Sequence, residues 1–405
     1  MFCEYIKKQN PVLSPKKGVL GNKEAFKLNS MLSYGREVNK PNYQQEHYIS
    51  LDLLFNLALE ERLFLKVRDK KDNFYLQPTS RLEKFKGLND FEKYAFLLEN
   101  YWTILTLKKS PYINMTGLHV LQKLFKMFQE YETGVKITNT NNESNLYRVK
   151  ILFSHDYKII FHLSYFELCE YEINQEAYNY DDNKFTAIMP TSLGKKITKV
   201  LLDQDDEFWK STNYPLAYRT LAYNKLAKEV NKRLYKEIVW AFPERKVKNT
   251  VDIQPEKKKR GSYYFKVALN KKIWRVIKMG YNHTFSDFHL AIQVAFGFDN
   301  DHLYTFYLDH KNMDMEYGIQ PHLDGIDDFF MDYSGFNSEE VTLFDAGLYP
   351  GQAMLYVYDF GDMFKFDITL LNIDSEEVAP SKPEIVETKG EAPQVDIDDF
   401  GWIDF

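Results

Sequence analysis

Two cysteines, Cys3 and Cys169, are all that this chain of 405 residues contains. They make neither a disulfide framework nor a thiolate metal cluster, and they point to a reducing, cytoplasmic compartment. Glycine is scarce at 18 residues, and no Gly-x-Gly-x-x-Gly occurs. That argues against a glycine-rich phosphate loop. No stretch approaches the ~18 uninterrupted apolar residues of a membrane span, so no membrane partner is expected. The opening MFCEYIKKQNPVLSPKKG has no apolar signal core, which predicts an unexported, soluble protein. Gly-x-Ser-x-Gly and His-Glu-x-x-His are missing too, which removes a nucleophile elbow and a helical zinc site.

What is present is globular. The chain is 44% hydrophobic and 27% charged, long enough for two or three domains with their own cores. Aromatics reach 16%, with 31 Phe and 29 Tyr. The net charge of −6 is uneven, because Asp and Glu crowd the stretch after residue 374 and leave the body near neutral.

The fold class expected is α+β: helical, winged-helix-like N-terminal units, then a mixed domain with one main helix on a five- or six-stranded sheet. Residues 1–140 read as a helical, winged-helix-like unit. Apolar residues recur at helical spacing in 51–66, 91–102 and 117–129, and 64–85 offers a hairpin. Residues 141–242 read as a second α+β or winged-helix-like unit. There LYRVKILF (146–153) and KIIFHLS (158–164) alternate as strands, and Thr191-Ser192 caps a helix. Residues 220–240 read as an amphipathic helix carrying Lys225, Lys228, Lys232, Arg233 and Lys236. That basic face suits a phosphate backbone, or is simply solvated. The charged stretch 243–261, ending in KKKRG, reads as a linker.

After the linker, 262–394 reads as strands YYFKVAL and IWRVIKM, a helix capped at Thr284 or Ser286 and ending at Gly297, and strand LYTFYLD. A long excursion over 310–340 follows, then strands EEVTL, QAMLYVYD and FKFDITLLNI. Residues 395–405, VDIDDFGWIDF, form an acidic-aromatic tail that suits a basic, apolar groove on a protein partner, or only solubilises.

Four separated stretches carry a resemblance: Ile273-Trp274-Arg275-Val276, TFSDFHLAIQVAFGF (284–298), DHLYTF (301–306) and LYVYDFGD (355–362). Together with KGEAP (389–393) they resemble the plasmid pRiA4b ORF-3-like family, over roughly the last third of the chain. Some members of that family are described as insertion-element passengers of resolvase type. The resemblance implies a compact α+β domain, a mobile-element association, and structural roles for Trp274, Phe306, Tyr358, Phe360 and Gly361. It implies no established activity. Where the family tends to place a Trp and a His after the DFGD turn, this chain has Phe364 and Phe366.

Asp359-Phe360-Gly361 is also the tripeptide with which kinases hold magnesium. No glycine-rich loop and no His-Arg-Asp precede it, so a kinase is excluded. A serine recombinase needs a nucleophilic Ser among arginines, and Ser14 has none close by. Two readings of the segment stay open. In one it is a strand-to-strand turn, with Gly361 at positive φ and an Asp bonding nearby amides. In the other, Arg275, His289, His302, Asp359 and Asp362 converge on a polar patch, with His289 and His302 as ligands of a divalent metal. His289 alternatively is a satisfied core residue on an apolar helix face.

The function expected is a cytoplasmic, non-catalytic interaction protein needing no cofactor, with nucleic acid or a complex that handles it as partner. The alternatives are a metal-dependent enzyme using the His/Asp patch, and a protein-binding adaptor acting through the tail.

Overall fold

The structure, a computed structural model, describes residues 1–15, 17–106, 115–138, 157–173, 185–203, 234–242, 246–251, 259–310, 318–321 and 336–392. The chain forms two compact units. One holds Met1–Leu65, Tyr75–Leu216 and Leu226–Ile253, and the other Lys66–Phe74, Ala217–Lys225 and Gln254–Phe405. The architecture is α+β. Among the described residues no helix is long and apolar enough to cross a membrane.

The first unit opens with helices α1 (Phe2–Gln9), α2 (Asn22–Asn29) and α3 (Ile49–Glu60). The helical pattern of 51–66 stops at Glu60, because Arg62 takes a left-handed φ of 48° and the chain turns into a strand. Strands β1 (Phe64–Arg68) and β2 (Phe74–Pro78) are the expected hairpin. After α4 (Ser80–Lys86) come α5 (Asp90–Thr106) and α6 (Met115–Glu130). Leu98, Tyr101 and Trp102 of α5 and Leu121, Leu124, Phe125 and Phe128 of α6 join one core. Each such side chain contributes about 1.5–3 kcal/mol by leaving water.

KIIFHLS is a helix, not a strand: α7 spans Tyr157–Tyr165. Its near-continuous apolar run does not separate period 2 from period 3.6. Packing does, since Ile159, Ile160 and Leu163 fit one helix face and are all fully buried. LYRVKILF lies outside the described residues. Strands β3 (Ile137–Thr138), β4 (Cys169–Ile173) and β5 (Phe185–Pro190) form an antiparallel sheet in the order β3-β5-β4. Thr191 then caps α8 (Ser192–Leu202), its hydroxyl accepting from the Gly194 amide at 2.8 Å. Only glycine fits at 194, where a Cβ would stand 1.8 Å from the Leu168 carbonyl oxygen. Of the basic helix expected over 220–240, the described part is α9 (Leu234–Ile238), followed by a 3-10 turn, Val239–Ala241.

Among the described residues, the second unit is one helix on an eight-stranded sheet. The strands are β6 (Ser262–Ala268), β7 (Trp274–Gly280), β8 (Tyr304–Tyr307), β9 (Ile319–Gln320), β10 (Phe336–Asn337), β11 (Ala353–Tyr358), β12 (Phe364–Asp374) and β13 (Glu384–Lys389). Their order is β10-β9-β8-β11-β12-β6-β7-β13, antiparallel except for the β9–β10 pair. β9, β10 and the exposed edge strand β13 carry too weak a pattern to be read from sequence. EEVTL is not a strand but a series of turns. Its backbone instead docks on the loop before the helix, with the Phe285 amide donating to Val341 O at 3.0 Å and Leu343 to His283 O at 2.9 Å.

The main helix, α10 (Phe285–Phe296), starts in a capping box between Thr284 and Asp287 and ends at Gly297 with φ 72°. Its buried rings pack against rings of the sheet. Phe288 lies 4.6 Å from Phe265, and Phe296 lies 4.9 Å from Phe366 on β12.

The hairpin tip Lys66–Phe74 belongs to this second unit. The Arg68 amide donates to Gly351 O at 2.9 Å, and its guanidinium reaches Thr369 Oγ1 at 3.2 Å and Asp367 at 3.6 Å.

Candidate functional site

The β11–β12 connection is a tight turn, as one of the two sequence readings has it. Tyr358 pairs with Phe364 across its base. Asp359 Oδ1 accepts from the amides of Gly361 at 2.8 Å and Asp362 at 3.3 Å. The left-handed residues are Asp359, with φ 54°, and Met363, with φ 55°, rather than Gly361. Asp tolerates that region because its short side chain bonds locally.

His289 projects from α10 into the interior and is 2% exposed. Its Nδ1 lies 2.7 Å from the Tyr356 hydroxyl, and its Nε2 contacts Asn300 Oδ1. The ring stacks on Tyr304 with centroids 3.6 Å apart. Tyr356 in turn accepts from Gln293 Nε2 at 2.9 Å. Burial holds the His289 pKa down at about 4, with the Asn300 contact opposing it. The ring is therefore neutral at pH 7, donating to Asn300 and accepting from Tyr356. Both nitrogens are occupied by the fold.

His302 is half-exposed. Its Nε2 stands 3.5 Å from Asp301 Oδ1 and 3.6 Å from Asp359 Oδ2. Asp301 also accepts from the Tyr358 hydroxyl at 2.9 Å. Arg275 is engaged elsewhere. Its guanidinium donates to the carbonyls of Ala295 (2.9 Å), Trp274 and Lys389 (both 3.0 Å) and Gly390 (3.1 Å), and lies over Phe296. Asp362 is exposed, and its amide closes the turn. Of the five patch residues, His302 and Asp359 thus come together, His289 is locked in the interior by Tyr356, Asn300 and Tyr304, and Arg275 clamps the end of β13 to the last turn of α10. Among the described residues no group of three or more His, Cys, Asp and Glu is placed to hold a metal ion.

Residues 262–404 match the plasmid pRiA4b ORF-3-like protein family. No curated protein matches the chain. Among solved structures, the crystal structure of a protein of unknown function from Methanosarcina mazei Go1 is similar, at 25% identity and a TM-score of 0.27, over 33% of this chain and 71% of that one.

The motif residues of the pRiA4b ORF-3-like domain have structural places. Trp274 opens β7 with Lys266 5.2 Å from its ring, and Phe306 is fully buried on β8. Tyr358 anchors Asp301, while Phe360 and Gly361 form the turn, Phe360 at 38% exposure. Phe366 sits in the core against Phe296 and, at 5.5 Å, Tyr356. The side chain at position 366 is therefore a fully buried core residue against α10.

Of the basic residues expected on a helix over 220–240, Lys225, Lys228, Lys232 and Arg233 lie outside the described residues, and Lys236 lies on α9. The stretch read as a linker carries anchored residues. Val247 and Val251 are buried. Glu92, 3% exposed, accepts from the amides of Lys248 (3.1 Å) and Asn249 (2.8 Å) and from Asn249 Nδ2 (3.0 Å). Its other oxygen accepts from the Asn89 amide at 2.9 Å, while Asn89 Oδ1 accepts from the Glu92 amide, closing a capping box on α5. Burial pushes the Glu92 carboxyl up, but the amides of Asn89, Asn249 and Lys248 outweigh it and hold it below its usual range. The sequence signal for this site was Asn89-Asp-Phe-Glu92, a capping-box spacing ahead of an apolar run.

Proposed function

We propose that this chain is a non-catalytic nucleic-acid-binding protein. In it the pRiA4b ORF-3-like domain acts as a scaffold, and the region before that domain supplies the cationic surface. The observation that carries the non-catalytic part is the saturation of His289: a general base or metal ligand needs a free nitrogen, and both are used. Arg275 is likewise spent on four carbonyls. The nucleic-acid part is supported by the charge pattern of 220–248, where lysines and arginines outnumber glutamates, and by the exposure of Lys246 and Lys248. Lysines that neutralise phosphates release counterions, so binding should weaken steeply with salt.

The test is an electrophoretic mobility shift on 30-nucleotide single strands and duplexes, from about 50 to 200 mM salt. Binding at low salt that falls with salt, and that weakens in a K228E/K232E/R233E variant, is expected. No shift at the lowest salt refutes the reading.

A further inference from the structure

We propose that Trp240 is a stacking platform for a base of single-stranded nucleic acid, a reading that rests on the function proposed above and gives it a site. Trp240 is 58% exposed, although tryptophan is among the side chains that gain most from burial. It does not sit on a fraying end. On its N-terminal side Ile238 is fully buried, and on its C-terminal side Ala241 is buried. The Phe242 ring is held 5.4 Å from Tyr94 and 6.5 Å from Phe91. The Phe242 amide closes the turn on Val239 O at 3.2 Å. The fold thus fixes both sides of the turn and leaves the indole in water.

The sequence around Trp240 is cationic. Tyr235 donates its hydroxyl to the Asn249 carbonyl at 3.0 Å, and Glu92 fixes the amides of Lys248 and Asn249, so Lys248 and Asn249 are held against the helix that leads to Trp240. In sequence, Lys232, Arg233, Lys236, Arg245, Lys246 and Lys248 surround Trp240 against only Glu237 and Glu244. Lys246 and Lys248 are exposed. The Lys246 ammonium stands 4.4 Å from the centroid of Phe91, which is itself 38% exposed, and the nearby Asp90 is paired with Lys93. An anchored, exposed ring in a cationic stretch of sequence matches the two needs of single-strand binding: charge along the backbone and a flat apolar surface for a base. A duplex keeps its bases stacked, so the platform selects single strands.

Trp240→Ala and Trp240→Phe in the full chain test this, by fluorescence anisotropy with labelled dT15, U15 and a DNA duplex at low salt. Wild type should bind the single strands more tightly than the duplex. Trp240→Ala should lose about five- to 100-fold on the single strands, the range of one base stack, and Trp240→Phe should recover most of it. The tighter of the dT15 and U15 arms names the sugar. Because the side chain is exposed, both variants should melt as wild type does. Wild-type binding with Trp240→Ala equally tight overturns the platform and leaves the proposed function standing. No wild-type binding to any arm removes both. A loss of self-association in Trp240→Ala, with unchanged oligonucleotide affinity, assigns the ring to a protein contact and overturns the inference.

Discussion

Replacing the buried carboxylate Glu92 should strongly destabilise the first unit. The side chain receives four donors: the amides of Asn89, Lys248 and Asn249, and the Asn249 side chain. Losing the capping-box half costs about 1 kcal/mol. Charge-assisted hydrogen bonds contribute about 1.5–3 kcal/mol each, and water can reach a partly open site to replace part of that. A total of about 3 kcal/mol for Glu92→Ala follows, with roughly half for Glu92→Gln, which keeps one acceptor oxygen. In a domain of about 150–250 residues, that lowers the melting temperature by roughly 6–12 °C for Ala. Trp102, buried on the same helix, reports the transition by fluorescence during urea unfolding. Asn89→Ala removes only the cap and should cost about 1 kcal/mol, separating the two halves of the interaction. The carboxyl is held below its ordinary range, so its contribution is full above that range and is lost as pH falls through the depressed folded pKa. A Glu92→Ala loss below about 1 kcal/mol, or one equalled by Asn89→Ala, would refute the reasoning.

His289 works with the opposite charge but the same direction. Its folded pKa, about 4, lies below the unfolded value of about 6.5, so the unfolded chain takes up the proton first. Stability of the second unit should be full above pH 6.5 and fall by up to about 3 kcal/mol as pH drops to 4. That slope should flatten in His289→Phe, and urea midpoints of both proteins across this window decide it. Arg275→Lys keeps the charge but loses the planar fork, and should cost about 2 kcal/mol and speed hydrogen exchange in β13; unchanged exchange there counts against the clamp. Gly194→Ala should destabilise the first unit by more than 2 kcal/mol because its Cβ meets the Leu168 carbonyl oxygen, and a melt within about 1 °C of wild type would contradict the packing. Asp359→Ala should cost about 1 kcal/mol in the turn, and Asp359→Gly less, since glycine accepts φ 54° without strain; an Ala variant as stable as Gly ends that account.

The second unit was legible wherever local chemistry and pattern agreed. Thr284, the apolar face of α10 and the neighbouring strands YYFKVAL and IWRVIKM announced a helix and a strand pair, and both are there. β13 gave no signal because a fully exposed edge strand has no alternation to read. KIIFHLS misled because a buried helix and a buried strand look alike over seven residues. The polar patch was half legible. That His302 follows an acidic loop is a sequence fact, and it meets Asp359. That Arg275 reaches four carbonyls is tertiary, and nothing near residue 275 shows it. Tyr356 and Asn300, the partners of His289, were missed for the same reason: they lie 67 and 11 residues away.

The hairpin tip also bears on how the protein is made. Arg68 and Thr369, bonded within one unit, are 301 residues apart. Closing a loop of that length costs about 5 kcal/mol in chain entropy beyond a constant, so this contact forms late. On a ribosome the tip emerges early and waits, with Arg68 unmated, until nearly the whole chain has been synthesised. A fragment cut at residue 262 would never receive it, leaving Asp367 without that guanidinium and Gly351 without the strand that packs on it.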